Sequence, residues 1–296
     1  MDISLDGAIQ VTLAGLATGS VYALLLLGIL IVFRVSKAVN FAQGQLGMIA
    51  AYVAWALFTA GVIPIWLALL AGIILAAGLG LLTDRIFIER LSRRGTLEGQ
   101  DLVVTLGVML LLTAAAETFL GTQTKSFTPL GNDIQFGFRT VVINVSQLAV
   151  LLGTIIILVA FSVFLKTRPG VAMRASAMNP DLARSFGVNV SRVKAITWAI
   201  SGVLAGVVGI VLASRLSVDP YYMTPFLISA FIAGIIGGLD RFAAPILVAF
   251  GLALYQNWSS FLFGSTAGTA SLFILVIVLL AVLPKRFLDE RREARA

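Results

Sequence analysis

Long runs of apolar residues alternate with short polar segments along the whole chain. Because these residues follow one another without the strict alternation of membrane β-strands, the runs predict helices that cross a bilayer, which takes about 20 residues each. The pattern therefore predicts an all-α, polytopic transmembrane helix bundle that forms a single domain over residues 1–296. The nine runs are 9–33, 40–60, 63–83, 102–120, 146–166, 195–214, 225–239, 243–263 and 268–284.

The seventh and eighth runs are the least regular. Run 225–239 has only about 14 apolar residues before Gly237 and Gly238, which is short for a bilayer that needs about 20. Residues 225–263 are therefore either two spans or a re-entrant pair of helices. The predicted architecture has eight to nine spans, or seven spans with a re-entrant pair.

Composition excludes several kinds of chemistry. Hydrophobic residues make up 59% of the chain and charged residues 12%, and the mean hydropathy of +1.02 is typical of a polytopic membrane protein. The chain contains no cysteine and no histidine, which excludes thiol chemistry and imidazole catalysis. The G-x-x-x-x-G-K-[ST] pattern of ATP-binding loops is also missing. The sequence thus predicts no catalytic residue, cofactor site or metal site, and no ATP hydrolysis by this chain itself.

Basic residues are distributed unequally between the loops. With the N-terminus outside, 18 of the 21 lysines and arginines fall on the inner side, and only Lys125, Arg139 and Arg215 lie outside. This bias predicts an N-out, C-in orientation by the positive-inside rule. Topology then accounts for the net charge of +7, and no nucleic-acid partner is predicted.

One polar segment stands out between the fifth and sixth runs, at residues 168–194. The Pro169-Gly170 pair favours a turn, and residues 171–178 have a helix-forming composition. The next residues have the N-cap, first-turn proline, acidic first turn and C-terminal stop of a second short helix: Asn179, Pro180, Asp181 and Gly187. A helix–break–helix unit at the inner membrane face is predicted to dock a soluble partner.

Two interpretations of this segment compete. An amphipathic helix held on the inner leaflet by anionic lipid is one of them. However, only Arg174 and Arg184 lie on the body of the segment, and its alanines give no broad apolar face. Small residues of this kind suit contact with another protein, so docking is the favoured interpretation.

Polar residues within the apolar runs are candidates for function because they are costly at membrane depth. Asn40 and Gln43 are three residues apart and share a helix face, whereas Gln45 lies off that face. They either line a translocation pathway or form hydrogen bonds between helices. Glu117, near the outer end of the fourth run, either lines the pathway, reaches the membrane interface or pairs with Lys125.

Glycine pairs, a polar interruption and one long loop complete the pattern of the chain. The pairs Gly15/Gly19 and Gly202/Gly206 have the G-x-x-x-G spacing of helix contact faces. Residues 256–258 (Gln-Asn-Trp) interrupt the eighth run and are interpreted as lining a cavity or as an interfacial belt. The loop at 121–145 is the largest external one, with a short strand predicted near 139–144.

Two blocks, AVNFAQGQLGMIAAY (38–52) and RPGVAMRASAMNPDLARSFGVNVSRVK (168–194), resemble the permease subunits of branched-chain amino acid ABC transporters, the shorter of the two permease types. The resemblance extends over nearly the full length of the chain. It implies a multi-pass protein of the bacterial inner membrane, working with ABC ATPase subunits, a second permease subunit and an extracytoplasmic substrate-binding protein.

In that family the cytoplasmic loop is the element that inserts into a cleft on the ATPase. The resemblance places Ala183, Arg184 and Gly187 at this interface, and the full predicted ATPase-coupling set is Arg174, Asn179, Pro180, Asp181, Ala183, Arg184 and Gly187. The predicted pathway set is Asn40, Gln43, Gln45 and Glu117.

The chain departs from the family pattern at two places. The pattern often reads N-F-A-H-G-E, whereas here Gln43 and Gln45 are neutral amides, so a protonatable role at these positions is lost. Asp240 and Arg241 follow paired glycines where small residues are usual. Importers of urea and short amides share this permease type, so they are the alternative to amino acid transport. A stand-alone channel or secondary transporter is the alternative from a different class.

Overall fold

The computed structural model describes residues 5–90, 99–127, 135–138 and 141–282. These residues form eleven α-helices and one two-stranded hairpin, so the all-α, polytopic prediction is confirmed. Their bounds are α1 Leu5–Ser36, α2 Gln43–Thr59, α3 Ile65–Leu82, α4 Gln100–Leu120, β1 Gln135–Phe138, β2 Val141–Asn144, α5 Val145–Phe164, α6 Arg168–Met178, α7 Pro180–Ser185, α8 Val190–Ala213, α9 Thr224–Gly237, α10 Ala243–Phe263 and α11 Ser265–Val282.

A helix lies at each of the nine predicted runs. Among the described residues, six helices are long and apolar enough to cross a membrane: α1, α3 with the π-helical turn Thr83–Ile88 that extends it, α4, α5, α8 and α10. Helix α9 has 14 residues and α10 has 21. At 1.5 Å per residue α9 is about 21 Å long, short of a hydrocarbon core of about 30 Å. The irregular region at 225–263 therefore consists of one short helix and one full-length helix.

Helix α1 is the centre of the bundle. Of its most apolar window 89% is buried inside the protein, against 11% for α5. It packs against α5, α6, α8, α9 and α10, and against α2 near one end. A helix that is apolar on all sides is typical of such a fully enclosed position. The long uninterrupted apolar run near the N-terminus is thus explained by burial in protein.

Glycines allow α2, α3 and α8 to approach one another closely. A Cβ atom on Gly209 of α8 would lie 2.1 Å from the carbonyl oxygen of Gly47 in α2. A Cβ atom on Gly202 would lie 2.3 Å from the carbonyl oxygen of Ala76 in α3, and Gly206 contacts Ile73 of the same helix. The predicted role of Gly202 and Gly206 in helix packing is therefore confirmed. These glycines and Gly209 let α8 pack closely against α2 and α3.

The connection between α4 and α5 contains a small antiparallel hairpin. In its register Gln135 faces Asn144 and Phe138 faces Val141. Strand β2 falls within the predicted strand near 139–144, whose first two residues lie outside the described part of the chain. Lys125 exchanges two backbone hydrogen bonds with Val218, of 2.9 and 2.8 Å, and so ties this loop to the connection between α8 and α9.

Candidate functional site

The segment at 168–194 folds as two short helices separated by one extended residue. Asn179 has φ −149° and ψ 103°, and its side-chain Oδ1 accepts hydrogen bonds from the backbone N–H groups of Asp181 (3.1 Å) and Leu182 (2.9 Å). Pro180 occupies the first position of α7. The predicted N-cap is confirmed. Helix α6 begins earlier than expected, because Pro169 fits its first turn, where no backbone N–H needs an acceptor.

The end of α7 is fixed by its glycine. Gly187 has φ +82°, a left-handed conformation that glycine adopts without steric cost. The N–H groups of Gly187 and Val188 donate to the carbonyl oxygens of Arg184 (2.9 Å) and Ala183 (3.0 Å), the two hydrogen bonds of a Schellman motif. Both ends of α7 are therefore closed by local hydrogen bonds, which makes the unit a well-defined shape and confirms the predicted stop.

Three large apolar side chains of this unit are exposed. Met178, Leu182 and Phe186 recur every four residues, and they are 86%, 55% and 79% exposed. We refer to these three residues as the apolar strip. The expectation that alanines form the contact surface is wrong, because none of the alanines of this unit is exposed. Large exposed apolar side chains mark a surface that another molecule covers.

The predicted coupling residues lie on the same unit as the apolar strip. Six of the seven are exposed, and only Ala183 of α7 is buried. The Arg184 guanidinium forms an ion pair with the Asp181 carboxylate, one turn away. The structure thus brings the predicted set together on one small unit, while their contact with an ATPase stays a prediction.

Glu89 connects the end of α3 to the start of α8. Its carboxylate accepts hydrogen bonds from Ser191 Oγ (2.7 Å) and from the Arg85 guanidinium (3.0 Å). A polar cavity of about 310 Å³ lies beside this junction, and its lining includes Arg184, Lys194 and the buried Asp84. The end of α3 is therefore joined to the start of α8, and Arg184 of the helix–break–helix unit lines the same cavity.

Sequence reasoning missed this junction. Glu89 and Arg85 look like ordinary members of a charged inner loop, and only their distance from Ser191 in space gives them a role. The sequence offered one indication of this junction, the acidic residues Asp84 and Glu89 at the end of an apolar run.

Asn40 and Gln43 lie deep in the protein and bond to each other and to α8. The Gln43 Oε1 atom accepts hydrogen bonds from Asn40 Nδ2 (2.9 Å) and Ser201 Oγ (2.6 Å), and Gln43 Nε2 donates to the Ser201 carbonyl oxygen (3.0 Å). Both side chains are 0% exposed. Gly28 of α1 makes room for this cluster, because a Cβ there would lie 2.2 Å from Gln43 Nε2. In this conformation the two amides form hydrogen bonds between helices.

Gln45 is placed differently from Gln43. It is 3% exposed, and its Oε1 atom is buried without a hydrogen-bond partner among the described residues. Such an atom retains the full cost of leaving water. Its part in a translocation pathway stays a prediction.

We expect Gln43→Leu to lower the free energy of unfolding by about 1–3 kcal/mol, because it leaves the Asn40 side-chain N–H group buried without its acceptor and removes both hydrogen bonds between Gln43 and Ser201. The Ser201 hydroxyl keeps the Gly28 carbonyl oxygen as an acceptor. Gln45→Leu is the matched control. It removes an amide oxygen that has no partner, and is therefore expected to be neutral or stabilising. The midpoint of thermal unfolding of the purified protein in detergent measures both. Equal losses in the two variants would contradict the assignment of Gln43 as a structural cross-link.

Glu117 lies far from this cluster. Thr105 near the start of α4 donates to the Val39 carbonyl oxygen (2.8 Å), next to Asn40. Glu117 is about 18 Å further along the same helix, at 1.5 Å per residue. The four predicted pathway residues are therefore not brought together at one place, and their role stays a prediction.

Tyr221 is the partner that the structure gives to Glu117. The Tyr221 hydroxyl donates to Glu117 Oε1 (2.7 Å), and this hydrogen bond raises the pKa of the tyrosine. The sequence also offered Lys125 as a partner of Glu117. The Lys125 ammonium instead lies 5.1 Å from the centre of the Trp55 ring. The contact joins the end of α4 to the connection before α9.

Two basic residues contact the turn that departs from the family pattern. Lys37 Nζ lies 3.6 Å from Asp240 Oδ1, and the Arg34 guanidinium lies 4.3 Å from the centre of the Phe242 ring. The charged turn after α9 is thus held against the end of α1. Among the described residues no three carboxylate side chains come close enough to hold a metal ion.

Comparison with known proteins identifies the family. The profile described as "Branched-chain amino acid transport system / permease component" matches residues 11–283. The probable branched-chain amino acid transport permease LivH of Methanocaldococcus jannaschii is 28% identical, over 88% of this chain and 85% of its own length. The high-affinity branched-chain amino acid transport system permease LivH of Escherichia coli K12 is 27% identical, over 91% of this chain and 92% of its own length. The high-affinity branched-chain amino acid transport system permease BraD of Pseudomonas aeruginosa is 26% identical, over 93% of this chain and 94% of its own length. No solved structure matches. The chain belongs to the family of branched-chain amino acid transport system permease components.

Proposed function

We propose that this chain is the permease subunit of an ATP-driven ABC importer, in which partner subunits hydrolyse ATP. The observation that carries this proposal is the exposed apolar strip on a locally capped helix–break–helix unit. Leaving Met178, Leu182 and Phe186 in water is unfavourable, and the burial of each would contribute about 1.5–3 kcal/mol. A cleft on a soluble ATPase, seated at the inner membrane face, is the occupant that fits these side chains.

The coupling mechanism follows from the connections of this unit. Closure of the ATPase pair pushes on α6 and α7. Ala183 is the residue of α7 that is buried in the protein, and the Glu89–Ser191 hydrogen bond joins the end of α3 to the start of α8. The push is therefore transmitted to α3 and α8, which pack against each other. The spans then rock between outward-open and inward-open arrangements.

The cargo in this proposal is a branched-chain or related amino acid. The named relatives support this class, and the extracytoplasmic binding protein would carry most of the specificity. A second permease subunit would complete the pathway. The unequal distribution of basic residues supports an N-out orientation, which puts the apolar strip on the cytoplasmic side with the ATPases.

The test is to solubilise native membranes gently, capture this chain and identify what co-purifies, followed by uptake of labelled leucine in membrane vesicles. We expect ATPases, a second permease and a binding protein, and uptake that continues when an ionophore removes the proton gradient while ATP is maintained. A lone oligomer in several detergents, with uptake that stops as soon as the gradient is lost, would instead identify a secondary transporter.

A further inference from the structure

A polar cavity of about 190 Å³ lies where α1, α9 and α10 meet. We refer to it as the α1–α9–α10 cavity. Its polar lining consists of hydroxyl and amide groups without a charged residue: Thr18, Tyr22, Gln256, Asn257 and Ser260. Pro225 and Phe226 of α9 add an apolar wall. The cavity therefore offers hydrogen bonds next to apolar surface.

The α1–α9–α10 cavity lies at membrane depth. Tyr22 is near the middle of the 32-residue helix α1, and Gln256 and Asn257 lie within the spanning helix α10. Polar side chains at that depth are costly, and they characteristically face a bundle interior or a water-filled path. Gln43 uses its polar groups on Asn40 and Ser201, whereas the polar side chains around this cavity line open space.

Hydrogen-bonding capacity remains free at the cavity. The Tyr22 hydroxyl donates to Gln256 Oε1, and Asn257 Nδ2 donates to the Ala253 carbonyl oxygen (2.9 Å). Within the described part of the chain, Gln256 Nε2 and Asn257 Oδ1 have no further hydrogen-bond partner. Both amides line the cavity, so it offers at least one free donor and one free acceptor.

The Gly15/Gly19 pair positions these amides. A Cβ on Gly15 would lie 2.9 Å from Leu254 Cδ2, and one on Gly19 would lie 2.6 Å from Phe250 Cδ1. Larger residues at either glycine would push α10 away from α1. The G-x-x-x-G contact therefore brings the amide-bearing turn of α10 against the central helix, beside Tyr22.

We propose that the α1–α9–α10 cavity is a section of the translocation pathway, where a small solute with both hydrogen-bond donors and acceptors passes next to an apolar wall. An amino acid with an apolar side chain has this chemistry. Neutral amide and hydroxyl groups hold such a solute weakly, which suits passage instead of retention. This inference rests on the proposed function and adds the residues that the solute meets.

The chain has no cysteine, so single cysteines can be introduced without a background. The test uses Gln256→Cys, Asn257→Cys and Ser260→Cys in membrane vesicles that contain the whole transporter, labelled with a charged, membrane-impermeant methanethiosulfonate reagent. Ser260→Cys replaces only one oxygen atom by sulfur, so this variant is expected to keep the fold even if the two amide substitutions do not. Leu247→Cys is the matched control, because Leu247 is 71% exposed and lies about two and a half turns from Gln256, on the opposite side of α10.

We expect the three cavity cysteines to react at least about tenfold faster than Leu247→Cys, because a thiol in hydrocarbon neither ionises readily nor meets a charged reagent. As a second measurement, Gln256→Leu should lower uptake of leucine, isoleucine and valine at least about fivefold, the effect of one lost hydrogen bond, with ATPase co-purification unchanged.

Two results would overturn the inference, and they are distinguishable. If the cysteine-free chain transports these amino acids but the cavity cysteines react no faster than Leu247→Cys, the cavity is not part of the pathway, and the proposed function stands. If the cysteine-free chain shows no ATP-driven uptake in the same vesicles, the proposed function fails and the pathway assignment fails with it, whatever the labelling rates.

Discussion

Replacing Leu182 and Phe186 together by aspartate is expected to lower ATP-driven uptake at least about tenfold, while the permease still inserts and packs normally. Leu182 in α7 and Phe186 directly after it are 55% and 79% exposed, so the substitutions remove few contacts within the chain. If the ATPase covers them, each aspartate places a charge in an apolar interface. Buried apolar anchors of this kind contribute about 2 kcal/mol or more each, so uptake and ATPase co-purification should both fall at least tenfold.

The matched control keeps the apolar character of the surface. Phe186→Leu retains a large apolar side chain at the same position, and should retain most of the uptake. The thermal unfolding midpoint of the double aspartate variant should equal that of the unsubstituted chain, since α7 keeps its Asn179 cap and its Gly187 stop. Normal uptake in the double variant would show that the apolar strip does not contact the ATPase, and the coupling assignment would be wrong.

Local chemistry explains why the coupling unit was predictable from sequence. An N-cap requires only that an Asn179 side chain reach the backbone N–H groups two and three residues on, and the Gly187 stop requires only a residue that tolerates positive φ. Each of these two features depends on no more than six consecutive residues. The long apolar runs were predictable for the same reason, because hydrophobic length alone determines whether a helix can cross a bilayer.

Contacts between distant segments explain what the sequence did not predict. Gln43 and Ser201 are separated by 158 positions, and Tyr22 and Gln256 by 234. No periodicity links such pairs, so the sequence left two interpretations of Gln43 open and gave Tyr22 no role. The span count was uncertain for a related reason. Helix α9 packs against α1 and α10, which compensates for a length that would be short for a helix on its own.

Close packing between helices predicts that a methyl group added at either of two glycines of α3 strongly destabilises the protein. A Cβ on Gly72 would lie 2.3 Å from the Ala50 carbonyl oxygen in α2, and one on Gly80 would lie 2.5 Å from the Trp198 carbonyl oxygen in α8. Backbone atoms cannot rotate away as a side chain does, so the helices must separate. We expect Gly72→Ala and Gly80→Ala each to lower the free energy of unfolding by about 1–3 kcal/mol, and the double variant to lose most of its folded yield.

Gly78 of the same helix provides the control. A Cβ there would meet nothing within 4 Å, so Gly78→Ala adds the same methyl group without a clash. Alanine favours the helix over glycine by about 1 kcal/mol, and since this term is shared by all three substitutions, the difference between them measures packing alone. The measurement is the fraction of each variant that stays monodisperse in detergent after heating. Gly78→Ala should match or exceed the unsubstituted chain. If Gly80→Ala were as stable as Gly78→Ala, α3 and α8 would not be in backbone contact, and the route from the coupling unit into the spans would have to run elsewhere.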